Sequence, residues 1–200
     1  VAIVLRPRGD DLDVLFIERP TRDGDRWSGD VAFPGGMARP GETAQVTAAR
    51  EAHEEVGLLI GHEHGGRCEG ALADRVAARP GRPLRPRLSF RAPGRIGTFL
   101  REVVRGEPLM RVRPVVFLDR SGADLALDPR EVREAFWVPF SRLRRLPLLP
   151  TLRRMRGLAL PFPSLDLDGR TLWGLTLSMV LELRRAEISP PASPAPTIVA

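Results

Sequence analysis

The 200-residue chain has no lysine, asparagine or tyrosine, and its one cysteine is Cys68. A single thiol excludes an intrachain disulfide, a CxxC redox pair and a thiolate zinc site, so a reducing, cytoplasmic setting is expected. Cys68 lies between Arg67 and Glu69 without a suitably spaced histidine partner, the setting of an incidental thiol rather than a nucleophile. Long apolar runs are missing too. Val1 to Leu5, and Leu175 to Leu183 with its Ser178 and Glu182, fall far short of the roughly 20 residues that span a bilayer, so no membrane partner is expected. No signal-peptide pattern is present, and Val1 opens in what reads as mid-strand, which leaves room for a preceding leader or first turn.

The composition that remains, 42% hydrophobic and 28% charged, is that of a soluble globular chain able to bury a core, and it excludes disordered and fibrous classes. A net charge of +6 invites a nucleic-acid reading, but all 31 basic residues are arginine, a bias that looks like codon usage in a G+C-rich genome. No nucleic-acid partner is expected. Arginine does suit bidentate phosphate recognition, so the surplus is compatible with an anionic small-molecule substrate.

The length predicts one domain, over residues 1–188, followed by a Pro/Ala/Ser-rich tail at 189–200 that is expected to be disordered. Val1 to Leu5 and Asp13 to Glu18 read as a hairpin about an Arg6–Asp11 turn, Arg19 to Asp30 as a polar loop, and Val31-Ala32-Phe33 as a strand stub entering Pro34-Gly35-Gly36. The spacing of Ala49, Ala52 and Val56 predicts a helix over Thr43 to Val56, capped by Thr43 and closed by Gly57, with a new strand starting at Leu58 to Ile60. From about 75 to 111 the chain turns rich in arginine and proline, as an insertion would, and reads as a solvated loop or a substrate lid. Val112 to Leu118 and Phe136-Trp137-Val138 read as strands, and Trp173 to Arg185 as a helix with Leu175, Met179, Val180 and Leu183 inward.

Glu51, Glu54 and Glu55 stand at i, i+3 and i+4, on the same side of one helical turn. Like charges at that spacing repel by a few tenths of a kcal/mol per pair, and a divalent cation would neutralise them. Hard oxygen ligands favour Mg²⁺, with Mn²⁺ as a substitute. A glutamate-rich helix is ordinarily a solvated, salt-bridged face, but its surroundings here are special. Gly36, five residues, Glu42, seven residues and then Arg50-Glu51-Ala52-His53-Glu54-Glu55-Val56-Gly57-Leu58 resembles the Nudix box, GX5EX7REUXEEXGU, over residues 36–58. Every invariant position matches, and Ala52 replaces the first bulky aliphatic; chance agreement of the seven fixed positions is on the order of 10⁻⁵.

The resemblance to the Nudix hydrolase superfamily implies an α/β fold, a mixed β-sheet sandwiched between α-helices, and Mg²⁺-dependent hydrolysis of a nucleoside diphosphate linked to another group. Glu51, Glu54 and Glu55 are implied as metal ligands with the Gly36 carbonyl, and Glu42 as a further ligand or its support. Arg50 would hold Glu51 or Glu42 in place. Glu51, Glu54 and Arg50 thus form the catalytic set, with a general base drawn from the helix or from a later loop. Glu131 stands where such a loop glutamate would fall, with Glu134 as the alternate, although both also suit an ordinary charged turn. His53 reads as a surface or packing histidine, and His62 and His64 as loop histidines.

Ser28-Gly29-Asp30-Val31-Ala32-Phe33-Pro34-Gly35-Gly36 and Leu172-Trp173-Gly174-Leu175-Thr176 resemble segments of the coenzyme A pyrophosphatase branch. That branch implies cleavage of coenzyme A or acyl-CoA to 3′,5′-ADP and a 4′-phosphopantetheine. Its upstream signature is altered here, with Asp25 and Trp27 in place of its arginine and histidine. Arg19, Arg22, Arg26, Trp27, Phe33 and Gly35 are the candidate substrate contacts, against the plainer reading of solvated loop arginines. Another nucleotide substrate (ADP-ribose, a dinucleotide or an oxidised dNTP) and a non-catalytic nucleotide- or RNA-binding module stay open, as does a homodimer.

Overall fold

Alternation of apolar side chains sets the centre of the molecule. A computed structural model describes residues 1–21, 29–60, 112–155, 158–186 and 188. In it Ala2–Arg8 (β1) and Asp11–Glu18 (β2) form an antiparallel hairpin closed by Gly9 and Asp10, with Gly9 at φ +58°. The hairpin is tighter than expected, because a two-residue turn with glycine at positive φ lets Arg6, Pro7 and Arg8 pair with Asp13, Leu12 and Asp11.

Val31–Ala32 (β3) pairs with the end of β2; Ala44–Val56 (α1) follows, and then Val115–Leu118 (β4) lies parallel to β1 and Glu134–Pro139 (β5) antiparallel to β2. Both faces of this five-stranded mixed sheet are covered. Ala2, Val4, Leu15, Ile17 and Phe117 pack beneath Ala48, Ala52 and Val56 of α1, while Ile3, Leu5, Val14, Phe16 and Val116 face the opposite layer. Burial on two sides explains why the strands read as nearly continuous apolar runs.

The opposite layer holds Phe140–Arg145 (α2), the strands Leu149–Met155 (β6), Leu158–Leu167 (β7) and Arg170–Trp173 (β8), and Gly174–Arg185 (α3). Phe16 stacks on Phe33 across a centroid distance of 4.8 Å and lies 6.0 Å from Phe136, beside Leu165, Leu172 and Val180. The expected mixed sheet between helices is therefore present, but β6, β7 and β8 add an antiparallel sheet that was not anticipated.

Two further expectations change. Leu58 to Ile60 joins no ladder among the described residues, because the Leu58 N–H turns back onto the Ala52 carbonyl as α1 closes. In α3, Thr176 and Leu177 are buried with Met179, Val180 and Leu183 while Leu175 is half-exposed, because the helix begins at Gly174. The Arg/Pro-rich stretch at 75–111, the tail at 189–200, Cys68, His62 and His64 lie outside the described residues. Among those described, no helix is long and apolar enough to cross a membrane.

Candidate active site

Helix α1 starts where Thr43 Oγ1 accepts the Val46 N–H at 3.2 Å, and it ends where Gly57 takes φ +74°. Alanine-rich and free of glycine and proline between those caps, it carries Arg50, Glu51, Glu54 and Glu55 in one rigid frame. The chain reaches it from β3 through Phe33, Pro34, Gly35 and Gly36, with the Pro34 carbonyl fixed by the Ala2 N–H at 2.7 Å.

Both glycines are closely approached by other groups. A Cβ on Gly36 would stand 2.5 Å from Glu51 Oε1, and one on Gly35 would stand 2.8 Å from Val1 Cα. The loop backbone thus lies directly against the helix carboxylates, and Gly35 N–H donates to Glu55 Oε2 at 3.0 Å.

Arg50 is the hub of the acidic face. Its Nε donates to Glu42 Oε1 at 2.8 Å and its Nη2 to Glu42 Oε2 at 3.0 Å, while Nη1 reaches Glu51 Oε1 at 2.7 Å and Glu54 Oε2 at 2.8 Å. Nη2 also donates to the Met37 carbonyl at 3.1 Å. The carboxylates that the spacing alone left repelling one another are thereby partly neutralised from within the chain.

Of Glu42, expected as a further ligand or as a support, the structure shows the hydrogen bonds: Oε1 accepts from Arg50, and Oε2 from the Arg39 N–H, Thr47 Oγ1 and Arg50, so that Glu42 orients Arg50. Hydrogen bonds from Arg50 and then the Arg39 amide hold its pKa down at about 2. Sequence reading missed Arg39, whose guanidinium meets Glu54 Oε1 at 3.0 Å. The signal was Pro40-Gly41: this turn, with Gly41 at φ +84°, returns the chain so that the Glu42 N–H bonds to the Arg39 carbonyl at 3.0 Å.

Glu55 differs from its neighbours in being buried. Desolvation pushes its pKa up to about 7 against the opposing Gly35 hydrogen bond, with the charges of Glu51 and Glu131 adding to the rise and that of Arg19 working against it. Arg19, at the end of β2, therefore lies close enough to act on the site, and its N–H is held by the Asp30 carbonyl at 3.1 Å. Glu131 is exposed in a turn whose approach docks on the end of α1, through Ala126 N–H to the Val56 carbonyl and Asp128 N–H to the Glu55 carbonyl, both 3.0 Å. Glu134, the alternate base, is instead committed to Arg170 at 2.6 Å.

Phe33 also departs from expectation: stacked on Phe16 and 3% exposed, it is a core residue with no open face for a substrate. His53 is exposed, as read. Arg22, Arg26 and Trp27 lie outside the described residues.

The donor set suits a hard divalent cation. Glu55 is a buried carboxylate beside two others, and among the described residues no cation hydrogen-bonds to it; the Glu51 carboxylate packs against Gly36, its Oε2 2.7 Å from where a Cβ would stand. No three acidic or histidine side chains among the described residues already converge as a ligand cage, because Arg50 and Arg39 hold Glu42, Glu51 and Glu54. Glu51, Glu54 and Glu55 are carried together on α1, and Gly36 lies against Glu51.

An uncharacterized protein of Schizosaccharomyces pombe is 34% identical over 131 residues, an alignment covering 65% of this chain but only 32% of that protein. Among solved structures, a MutT/nudix family protein from Enterococcus faecalis is similar at 17% identity with a TM-score of 0.44, over 90% of this chain and 57% of that one. A MutT protein from Methanosarcina mazei Go1 (20% identity, TM-score 0.39, 71% and 75% covered) and a NUDIX hydrolase from Alicyclobacillus acidocaldarius (20%, 0.41, 72% and 79%) are also similar. Residues 1–156, which contain the central sheet, α1 and the loops that meet it, match the NUDIX domain family as a whole, and the chain belongs to that family.

Proposed function

We propose that the chain is a Mg²⁺-dependent Nudix pyrophosphohydrolase, able to use Mn²⁺, whose substrate is coenzyme A or an acyl-CoA, cleaved to 3′,5′-ADP and the (acyl-)4′-phosphopantetheine. The observation that carries this reading is the acidic face of α1, ordered by Arg50 and pressed against the Gly35-Gly36 backbone. Glu51, Glu54 and Glu55, with the Gly36 carbonyl, would hold the ion, which when bound offsets charge on the diphosphate and acidifies the attacking water.

The chain's own groups supply the rest. Arg50, oriented by Glu42, fixes the carboxylates of Glu51 and Glu54 in one geometry. Arg19 offers a positive charge near Glu55 for a phosphate oxygen, with Arg22, Arg26 and Trp27 assigned to the same substrate from sequence alone. A Glu131 carboxylate oxygen takes the proton of the attacking water. The small-molecule nucleotide is the partner, in the cytoplasm, with no role for nucleic acid.

The coenzyme A assignment is supported by the Ser28–Gly36 and Leu172–Thr176 resemblances, while Asp25 and Trp27 favour a second reading, the same chemistry on ADP-ribose, a dinucleotide or an oxidised dNTP. A Mg²⁺-dependent panel of CoA, acetyl-CoA, ADP-ribose, NADH and 8-oxo-dGTP, with products identified by mass spectrometry, decides between them. CoA and acetyl-CoA are expected to be hydrolysed; turnover of another member with CoA inert selects the second reading, and no turnover with either metal selects a binding module. Glu54→Gln is expected to cost several kcal/mol of transition-state stabilisation at unchanged thermal stability, and near wild-type rates in that variant would remove the metal assignment.

A further inference from the structure

Asp30 is 8% exposed, lies immediately before β3, and gathers contacts from the first and last strands of the second sheet. Trp173, the last residue of β8, donates its indole N–H to Asp30 Oδ1 at 2.8 Å. Arg153 of β6 ion-pairs with the same oxygen at 3.4 Å and lies over the Trp173 ring at 4.5 Å. Phe162 of β7 meets that ring edge-on at 5.6 Å. Gly174, at φ +62°, then turns the chain straight from β8 into α3.

Two parts of the candidate site branch from Asp30. Along the chain, β3 leads to Gly35, whose N–H meets Glu55, and to Gly36, which backs onto Glu51. Through its carbonyl, Asp30 holds the N–H of Arg19, the residue whose charge acts on Glu55. A shift of Asp30 would therefore move the backbone donor and the nearby cation together, while the glutamates on α1 stayed where their own caps keep them.

We propose that Asp30, Trp173 and Arg153 form a clamp through which the second sheet positions Arg19 and the Gly35-Gly36 loop against the glutamates of α1. The residues are positioning residues; their consequence for metal binding rests on the reading of the site given above, whereas the ordering of the loop does not. A purely cohesive role, cementing two sheets, would loosen both sheets alike when the clamp is broken.

Hydrogen exchange on the full chain without metal separates the two. Trp173→Phe removes the indole N–H and keeps the ring, and Asp30→Ala removes the acceptor. Both are expected to speed exchange across residues 31–37 about tenfold, the factor that loss of one charge-assisted hydrogen bond is worth, with β1 and β2 unchanged. Asp30→Asn, which keeps an acceptor oxygen for the indole but loses the charge that pairs with Arg153, is expected to fall between wild type and Asp30→Ala.

Unchanged exchange at 31–37 in Trp173→Phe and Asp30→Ala, or equal acceleration throughout β1 and β2, overturns the clamp. Arg153→Gln, at the half-exposed end of the cluster, supplies the same measurement should the other variants not fold. Mn²⁺ binding followed by electron paramagnetic resonance tests the link to the site: the clamp variants are expected to weaken it about tenfold. Wild-type affinity in those variants overturns that link. Absence of Mn²⁺ binding in the parent chain rejects the metal reading instead, and the exchange rates still decide the clamp.

Discussion

Glu51 and Glu55 sit one turn apart on α1, yet one carboxylate is bonded to Arg50 while the other faces a single backbone amide inside the protein. Burial raises the Glu55 pKa from 4.5 to about 7, so between those values the native state keeps a proton that the unfolded chain has released. Stability is then greatest below the unfolded value, falls as pH rises through the folded one, and levels off above it, by about 3 kcal/mol in all. Urea unfolding in a chelator is expected to show this loss between about pH 5 and about pH 8, and Glu55→Gln to abolish it. Saturating Mg²⁺ should restore the lost stability at the higher pH, since an ion that binds only the native state stabilises it. A wild-type profile as flat as that of Glu55→Gln would contradict the burial of this charge.

At the scale of elements, α1 was legible from end to end, because its caps and its alanine spacing are properties of neighbouring residues. Its two ends are not equivalent. Thr43 contributes one hydrogen bond to Val46, and Thr43→Ala is expected to cost about 1 kcal/mol. Gly57 combines φ +74° with Ala126 so close that an added Cβ would lie 2.7 Å from that residue's Cβ. Gly57→Ala is therefore expected to cost roughly 2 kcal/mol or more, through the left-handed backbone and the displacement of the 125–128 segment. Because that segment leads to Glu131, Gly57→Ala should also slow turnover while Thr43→Ala leaves it unchanged; equal effects of the two on rate would break the connection.

The second sheet was not legible, although part of its signal was present. Asp168 at φ +57° and Gly169 at φ +84° make the β7–β8 turn between Leu167 and Arg170, and an Asp-Gly pair is a hairpin signal. Pro150, Pro161 and Pro163 argued against strands in the same stretch. They are tolerated because Pro161 and Pro163 lie in the part of β7 that pairs with β6 alone, leaving the other edge open for a residue without an N–H.

For the whole molecule, Phe16 is the point where layers meet: its ring packs between Phe33 and Phe136 on the side that faces the second sheet and α3. Phe16→Ala is expected to cost about 4 kcal/mol, read by denaturant unfolding as one cooperative transition that carries both sheets. Two separated transitions would show that the second sheet folds on its own. The arginine surplus also takes on meaning at this scale. Among the described residues, Arg6 pairs with Asp119, Arg50 with three glutamates, Arg142 with Asp168, and Arg170 with Glu18 and Glu134, so these arginines serve to tie separate segments together.

By itself the sequence determined the limits of α1, the spacing of its glutamates, the two apolar faces of the central strands and the family, since each is written in residues a few positions apart. Tertiary structure decided what those residues do. It buried Glu55 against an amide 20 positions away, gave Glu42 to Arg50, put Phe33 in the core, and joined Asp30 to Trp173 across 143 positions. Desolvation and long-range hydrogen bonds depend on which distant segments meet, and no local pattern records that.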